Sequence, residues 1–153
     1  MYQFRYATKG DYDFLYNLMK STMKEYYIET YGSWDEEVER NFFDESFNSI
    51  KYQILISEGQ DIGCLAITKN DTDIFINEIQ ILLQYQNKGI GKMIFDLIIN
   101  DSKRLKIPIN LEVLKVNKRA QMFYERMGFI KSGETDSHYA MRRNPSIAII
   151  KNE

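Results

Sequence analysis

The sequence predicts an α/β domain built on a mixed sheet, and three observations carry that prediction. Amphipathic helical stripes alternate with short apolar runs along the chain. Two of these runs, over residues 52–57 and 62–68, are separated only by Glu58-Gly59-Gln60-Asp61, a hairpin signal. A third run, starting at Ile74, gives way to a glycine-bearing turn, a helix and a further apolar run. That strand–helix–strand order predicts a parallel pair joined by a right-handed crossover.

In chain order, residues 2–7 alternate well enough for a first strand. Thr8 stands three residues before Asp11 as a loose capping box, and Tyr12, Leu15, Tyr16, Met19 and Met23 then form a helical stripe. Ser33 and Glu36 predict a second capping box. It opens a helix whose apolar side is Val38, Phe42, Phe43 and Phe47. Between the two helices lies EYYIETYGSW, dense in aromatic and acidic residues. The hairpin comes next, and a polar turn over 69–73 leads into the central strand. Beyond it, Ile90, Met93, Ile94, Leu97 and Ile98 recur at helical spacing until Pro108 closes the helix.

Residues 109–114 form a short strand. Asn117 caps the next helix, where Ala120, Phe123, Tyr124 and Met127 share a face and Gly128 suits the left-handed stop. Residues 129–132 and 138–143 predict a closing hairpin. The final stretch, NPSIAIIKNE, reads either as a frayed tail or as an added strand at a homodimer contact.

Length and composition narrow the functional classes. A chain of 153 residues fits one domain, 1–153, with room for a real core. A net charge of −2 offers no basic footprint for nucleic acid. No apolar run reaches membrane-spanning length, and MYQFRYATKG lacks the apolar segment of a secretory signal, so no membrane partner is expected. The single Cys64 cannot form an internal disulfide, which fits a reducing cytoplasm. It reads as a small buried hydrophobe rather than a nucleophile. With one histidine, His138, and no ligand spacing, a metal site is not expected.

The stretch IFINEIQILLQYQNKGIG, residues 74–91, organises the rest. Glu78 is embedded in its apolar run. A glutamate there must be paired, solvated in a cleft or shifted in pKa. The run ends in Gln86-Asn87-Lys88-Gly89-Ile90-Gly91, where the helix begins. Backbone N–H groups at a helix start lack intrahelical partners, and the two glycines remove the Cβ atoms that would keep a ligand away. A phosphate is the usual guest of such a turn. Neither GxxxxGKS/T nor GxGxxG is complete, so the residues alone leave a plain tight turn and a phosphate cradle both standing.

Two motifs, in this order of elements, resemble the GNAT superfamily of acetyl-CoA-dependent N-acetyltransferases. One is the QxxGxG run Gln86–Gly91 after a strand; the other is Asn117-x-x-Ala120-x-x-Phe123-Tyr124-Glu125-x-x-Gly128-Phe129. The residue-level match is confined to about 78–129, whereas the N-terminal third, where such enzymes choose their acceptor, matches in outline only. The resemblance implies a splayed central sheet flanked by helices and acetyl-CoA as co-substrate. Lys88, Gly89, Ile90, Gly91 and Lys92 would hold the pyrophosphate. Ile81, Leu82 and Leu83 would offer main-chain hydrogen bonds to the pantetheine arm, with the oxyanion donor near Leu82 or Leu83. Asn117 would lie beside the cofactor as well as capping its helix.

Tyr124 is then the candidate acid for the leaving thiol, against a plain packing role. Glu78 is the candidate base, with Glu112 as competitor and a solvent-facing strand end as the bland alternative. For a cationic amine, Trp34 and Asp35 with Tyr26, Tyr27, Glu29 and Tyr31 are candidates to form a pocket, and His138 could line the acceptor cleft. The same residues could equally be a helix staple and surface decoration. The leading expectation is acetyl transfer to a primary amine of a small molecule or peptide. A non-catalytic acyl-CoA sensor is the alternative class, and a longer acyl or aminoacyl donor is a third reading.

Overall fold

The computed structural model describes residues 1–145. Its elements follow the predicted order: β1 (Tyr2–Tyr6), α1 (Tyr12–Tyr31), α2 (Glu36–Ser49), β2 (Tyr52–Ser57), β3 (Gln60–Lys69), β4 (Ile74–Ile81), α3 (Ile90–Leu105), β5 (Ile109–Leu114), α4 (Lys118–Arg126), β6 (Ile130–Glu134) and β7 (His138–Arg143). The strands run β1-β2-β3-β4-β5-β7-β6 in one seven-stranded sheet, so the α/β class holds. Two compact units are distinguishable along the chain. One comprises Met1–Thr68 with Ile76–Gly91, the other Lys69–Phe75 with the chain from Lys92 on.

In the first unit, β1 pairs antiparallel with β2, and β2 with β3. The two-residue Glu58–Gly59 turn joins the latter pair, both residues at positive φ, as a tight hairpin requires. Asp11 fixes the entry to α1. Its carboxylate accepts two 2.8 Å bonds from the Arg5 guanidinium and one from the Thr8 N–H, and this pairing holds its pKa down at about 2. Gly63 on β3 is set by close approach: a Cβ there would stand 2.5 Å from the Gln80 carbonyl oxygen. Helices α1 and α2 meet through aromatic edges, with Tyr12 and Tyr16 ring centroids 5.2 and 5.5 Å from Phe43.

Two expectations about α2 need correction. Its cap is Asp35, whose carboxylate accepts from the Val38 N–H at 3.0 Å, and not Ser33. The glutamate of the predicted box is drawn elsewhere: Glu36 accepts from Tyr16 Oη (2.7 Å), Lys20 Nζ (2.9 Å) and Trp34 Nε1 (2.8 Å). The apolar side is also narrower than predicted. Phe43 is buried, while Val38 and Phe42 are exposed, because α1 covers only the Phe43–Phe47 edge.

In the second unit, β5 and β6 each pair antiparallel with β7. The buried stripe of α3 is Ile94, Phe95, Ile98 and Ile99 rather than one through Leu97, which is exposed. Phe95 is its pivot, packing against Phe123, Tyr124 and Phe129. The helix stops at Leu105, before Pro108, where Lys106 takes a left-handed conformation (φ 58°) and the buried Ser102 hydroxyl donates to the Ile107 carbonyl. Phe129 is buried ahead of β6, which begins at Ile130. Of the final stretch, residues 146–153 lie outside the described residues.

Candidate active site

The first unit contains a cavity of about 90 Å³. Tyr27 from α1, Glu39 and Phe43 from α2, Tyr52 from β2, Cys64 from β3 and Glu78 from β4 contribute to its wall. Among the described residues no Lys, Arg or His lines it, so its two carboxylates have no described countercharge on the cavity wall. Burial is the main reason the Glu78 carboxyl titrates above the usual carboxylate range; a hydrogen bond from Gln80 works against it. Glu39 is raised as well, by burial and then by the charges of Asp35 and Glu36. Burial also pushes up Tyr27, Tyr52 and Cys64, with the Glu78 charge the second cause in each. Such a wall repels anions and attracts cations.

Gln80 connects two elements at this wall. Its side-chain N–H donates to Glu78 Oε1 at 2.7 Å, and its side-chain oxygen accepts from the Thr22 hydroxyl of α1 at 2.5 Å. Successive odd or even strand positions share a face, which is why Glu78 and Gln80 meet.

Beyond β4, a 3-10 turn over Leu83–Tyr85 precedes the glycine-bearing segment. The Gln86 amide donates back to the Ile81 carbonyl at 2.9 Å, tying the turn to the strand end. Asn87 and Gly89 both have positive φ, 61° and 80°. A Cβ at Gly89 would meet nothing within 4 Å, so the backbone there lies open. These positions fit an approaching phosphate: left-handed residues turn backbone N–H groups towards one side, and α3 starts at Ile90. Lys88 sits over the Tyr85 ring at 5.7 Å, while Lys92 pairs with Asp96 at 2.7 Å. The Leu82 N–H, a candidate oxyanion donor by sequence, donates to the Ile62 carbonyl at 2.8 Å. That leaves Leu83 as the candidate.

In the second unit, Asn117 Oδ1 accepts from the Ala120 N–H at 3.1 Å, so the cap on α4 is in place. Tyr124 packs its ring on Phe95, Phe123 and Phe129. His138 opens β7, its Nδ1 2.7 Å from the Ser137 hydroxyl. The competitor base, Glu112, is exposed on β5.

The aromatic and acidic residues between α1 and α2 are placed unevenly. Trp34 stacks on Tyr27 at 5.6 Å, and Tyr31 meets that ring edge-on at 6.0 Å, so both reach the cavity wall through Tyr27. Asp35 is committed to the helix cap. Sequence reasoning missed Glu39, Gln80 and Thr22. The two-residue spacing from Glu78 signals Gln80; nothing local signals the others. Among the described residues, no group of three or more His, Cys, Asp or Glu side chains is placed to hold a metal. No described helix is long and apolar enough to cross a membrane.

Comparison with known proteins bears on this arrangement. The model of the acetyltransferase (GNAT) domain family matches residues 49–131. Among curated protein sequences, none matches significantly. Solved structures with the same fold include the PaiA N-acetyltransferase of Thermoplasma acidophilum in complex with coenzyme A. It has 18% identity and a TM-score of 0.74, over 94% of this chain and 99% of that one. The spermidine N-acetyltransferase of Vibrio cholerae, in complex with CoA and spermine, has 18% identity and a TM-score of 0.66, over 95% and 96%. The ribosomal-protein-S18-alanine N-acetyltransferase of Escherichia coli has 17% identity and a TM-score of 0.66, over 100% and 99%.

Proposed function

Because this chain belongs to the GNAT family of acetyltransferases, we propose that it moves the acetyl group of acetyl-CoA to a primary amine that arrives as a cation. The observation that carries this reading is Glu78: a desolvated carboxyl in a cationophilic cavity, on the strand that leads into the glycine-bearing turn. The family match supplies the donor and the reaction class, and the acidic cavity wall supports a cationic acceptor. Acceptors of the relatives range from spermidine to a protein alanine, and the acidic wall favours a small or peptidic amine with a positive charge.

In the proposed mechanism, Lys88 to Lys92 hold the pyrophosphate through backbone N–H groups, with Gln86 bracing the turn and Asn117 beside the cofactor. Ile81, Leu82 and Leu83 face the pantetheine arm, and the Leu83 N–H stabilises the oxyanion. An alkyl ammonium has a pKa near 10.4, so the amine must lose a proton before its nitrogen can attack. Glu78 takes that proton, directly or through water. Attack forms the nitrogen–carbon bond and the tetrahedral oxyanion; its collapse breaks the carbon–sulfur bond, Tyr124 gives its proton to the leaving sulfur, and the excess proton on the new amide nitrogen returns to the Tyr124 oxygen through solvent. Trp34 and Tyr31 support the cavity through Tyr27, Asp35 acts on it through the charge of Glu39, and His138 belongs to the acceptor side. A panel of amines, scored for thiol release from acetyl-CoA, tests the reading: cationic alkylamines should turn over, and acids or neutral amides should not.

Two expected outcomes follow from this assignment of roles. Glu39→Gln should raise the amine KM about 5-fold, as expected for loss of a partly exposed ion pair worth about 1 kcal/mol. The KM for acetyl-CoA should stay fixed, and steady-state kinetics in both substrates checks this. Tyr124→Phe keeps the ring that packs on Phe95, so melting temperature and acetyl-CoA affinity should be preserved while transfer slows about 10- to 10³-fold. Stopped-time assays with a donor carrying a more acidic thiol should show a smaller loss. A wild-type rate would remove Tyr124 from the mechanism, and absence of transfer by the parent chain would favour the sensor.

A further inference from the structure

We infer that Gln80 is a positioning residue for Glu78, and that Thr22 of α1 sets Gln80 in turn. The inference rests on the reading of Glu78 as the base. Its basis is a directional chain of hydrogen bonds within the first unit. Thr22 has one hydroxyl proton and three acceptors in reach: the Leu18 carbonyl at 3.0 Å, the Met19 carbonyl at 3.3 Å and Gln80 Oε1 at 2.5 Å. The shortest contact takes it. With its oxygen held by the Thr22 hydroxyl, the Gln80 amide presents N–H to Glu78 Oε1, at 2.7 Å; the flipped amide would set its oxygen against that carboxylate oxygen.

The chain has two effects on the carboxyl. It fixes the Glu78 rotamer at the cavity wall, and it donates a hydrogen bond to the ionised form in a place where burial disfavours that form. Neighbouring elements bring other titratable groups to the same wall: Tyr27 from α1, Glu39 from α2, Tyr52 from β2 and Cys64 from β3. The tyrosines and the cysteine are raised and stay neutral where a carboxyl titrates. Gln80 is the one hydrogen-bond donor described at Glu78, so it is the group that makes Glu78 ionise at a lower pH than burial alone would allow.

The test is a carboxyl-carbon NMR titration of the whole chain labelled at glutamate, with the Glu78 signal assigned by its loss in Glu78→Gln. Gln80→Met keeps bulk and removes the donor. Its Glu78 midpoint should move up by about one pH unit, the scale of one charge-assisted hydrogen bond. Thr22→Val should move it in the same direction by less, since the amide remains but is free to turn. An unchanged or lowered midpoint in folded Gln80→Met overturns the inference. If that variant does not fold, an unchanged midpoint in Thr22→Val does so. The rising limb of the pH–rate profile should shift with the NMR midpoint. An NMR shift without a kinetic shift upholds Gln80 as the positioning residue and refutes Glu78 as the base instead.

Discussion

Glu78→Gln is expected to lower turnover by about 10²- to 10⁴-fold, the range for losing a general base, with acetyl-CoA affinity nearly unchanged. Wild-type activity should rise with pH through the elevated Glu78 ionisation, and the variant should lose that limb. Stability should move the other way. A carboxyl whose folded pKa lies above its unfolded value supports folding fully at pH below the unfolded pKa, and loses that support as pH rises through the folded one. The amide cannot ionise and still offers Gln80 a carbonyl oxygen. At neutral pH and above, Glu78→Gln should therefore melt no lower than the parent, and a slow enzyme with a retained or raised Tm is the expected pair of readings. If the variant keeps the parental rate and pH profile, the base is Glu112 or bulk water.

Gly91→Val is expected to abolish acetyl-CoA binding while the domain stays folded. Gly91 is the second residue of α3, directly after the open, left-handed turn at Gly89. A β-branched side chain there intrudes where the pyrophosphate must approach the backbone N–H groups. Gly91→Val is a cleaner probe than Gly89→Val, because any side chain at Gly89 is strained at φ 80° whatever the space around it. Calorimetric titration with acetyl-CoA should show no heat of binding in a variant whose circular dichroism matches the parent. Parental affinity would remove the turn from the cofactor site.

The element order was legible because its signals are local. Short apolar runs mark β2 and β3, Glu58–Gly59 marks the hairpin, and Gly128 stands at φ 92° where the sequence asks for a left-handed stop. Misreadings arose where a tertiary partner outbid a local one. Ser33 and Glu36 fit a capping box, yet Tyr16, Lys20 and Trp34 claim the Glu36 carboxylate and Asp35 caps instead. Phe42 and Leu97 satisfy helical spacing, but periodicity cannot say how wide a face the neighbour covers, and both are exposed.

The candidate site divides in the same way. Its glycine-bearing turn and its Asn117 cap are runs of adjacent residues, so a single sequence displays them. Even there, the left-handed Asn87 passed unnoticed, although asparagine tolerates that conformation better than most residues. The cavity is assembled from five elements. Thr22 and Gln80 are separated by 58 positions, and no spacing rule joins them. Glu39 carries no local signal of its own on a charged helix; only the cavity wall sets it apart.

Tracking the acetyl group itself separates transfer from mere binding. The protein would be incubated with acetyl-CoA labelled in the acetyl carbons and a primary alkylamine, and products separated by mass. Label should appear in the amide of the amine, matched mole for mole by free CoA thiol. Acetyl-CoA that binds tightly but stays intact with every amine of the panel would contradict that expectation, and would make the chain an acyl-CoA sensor.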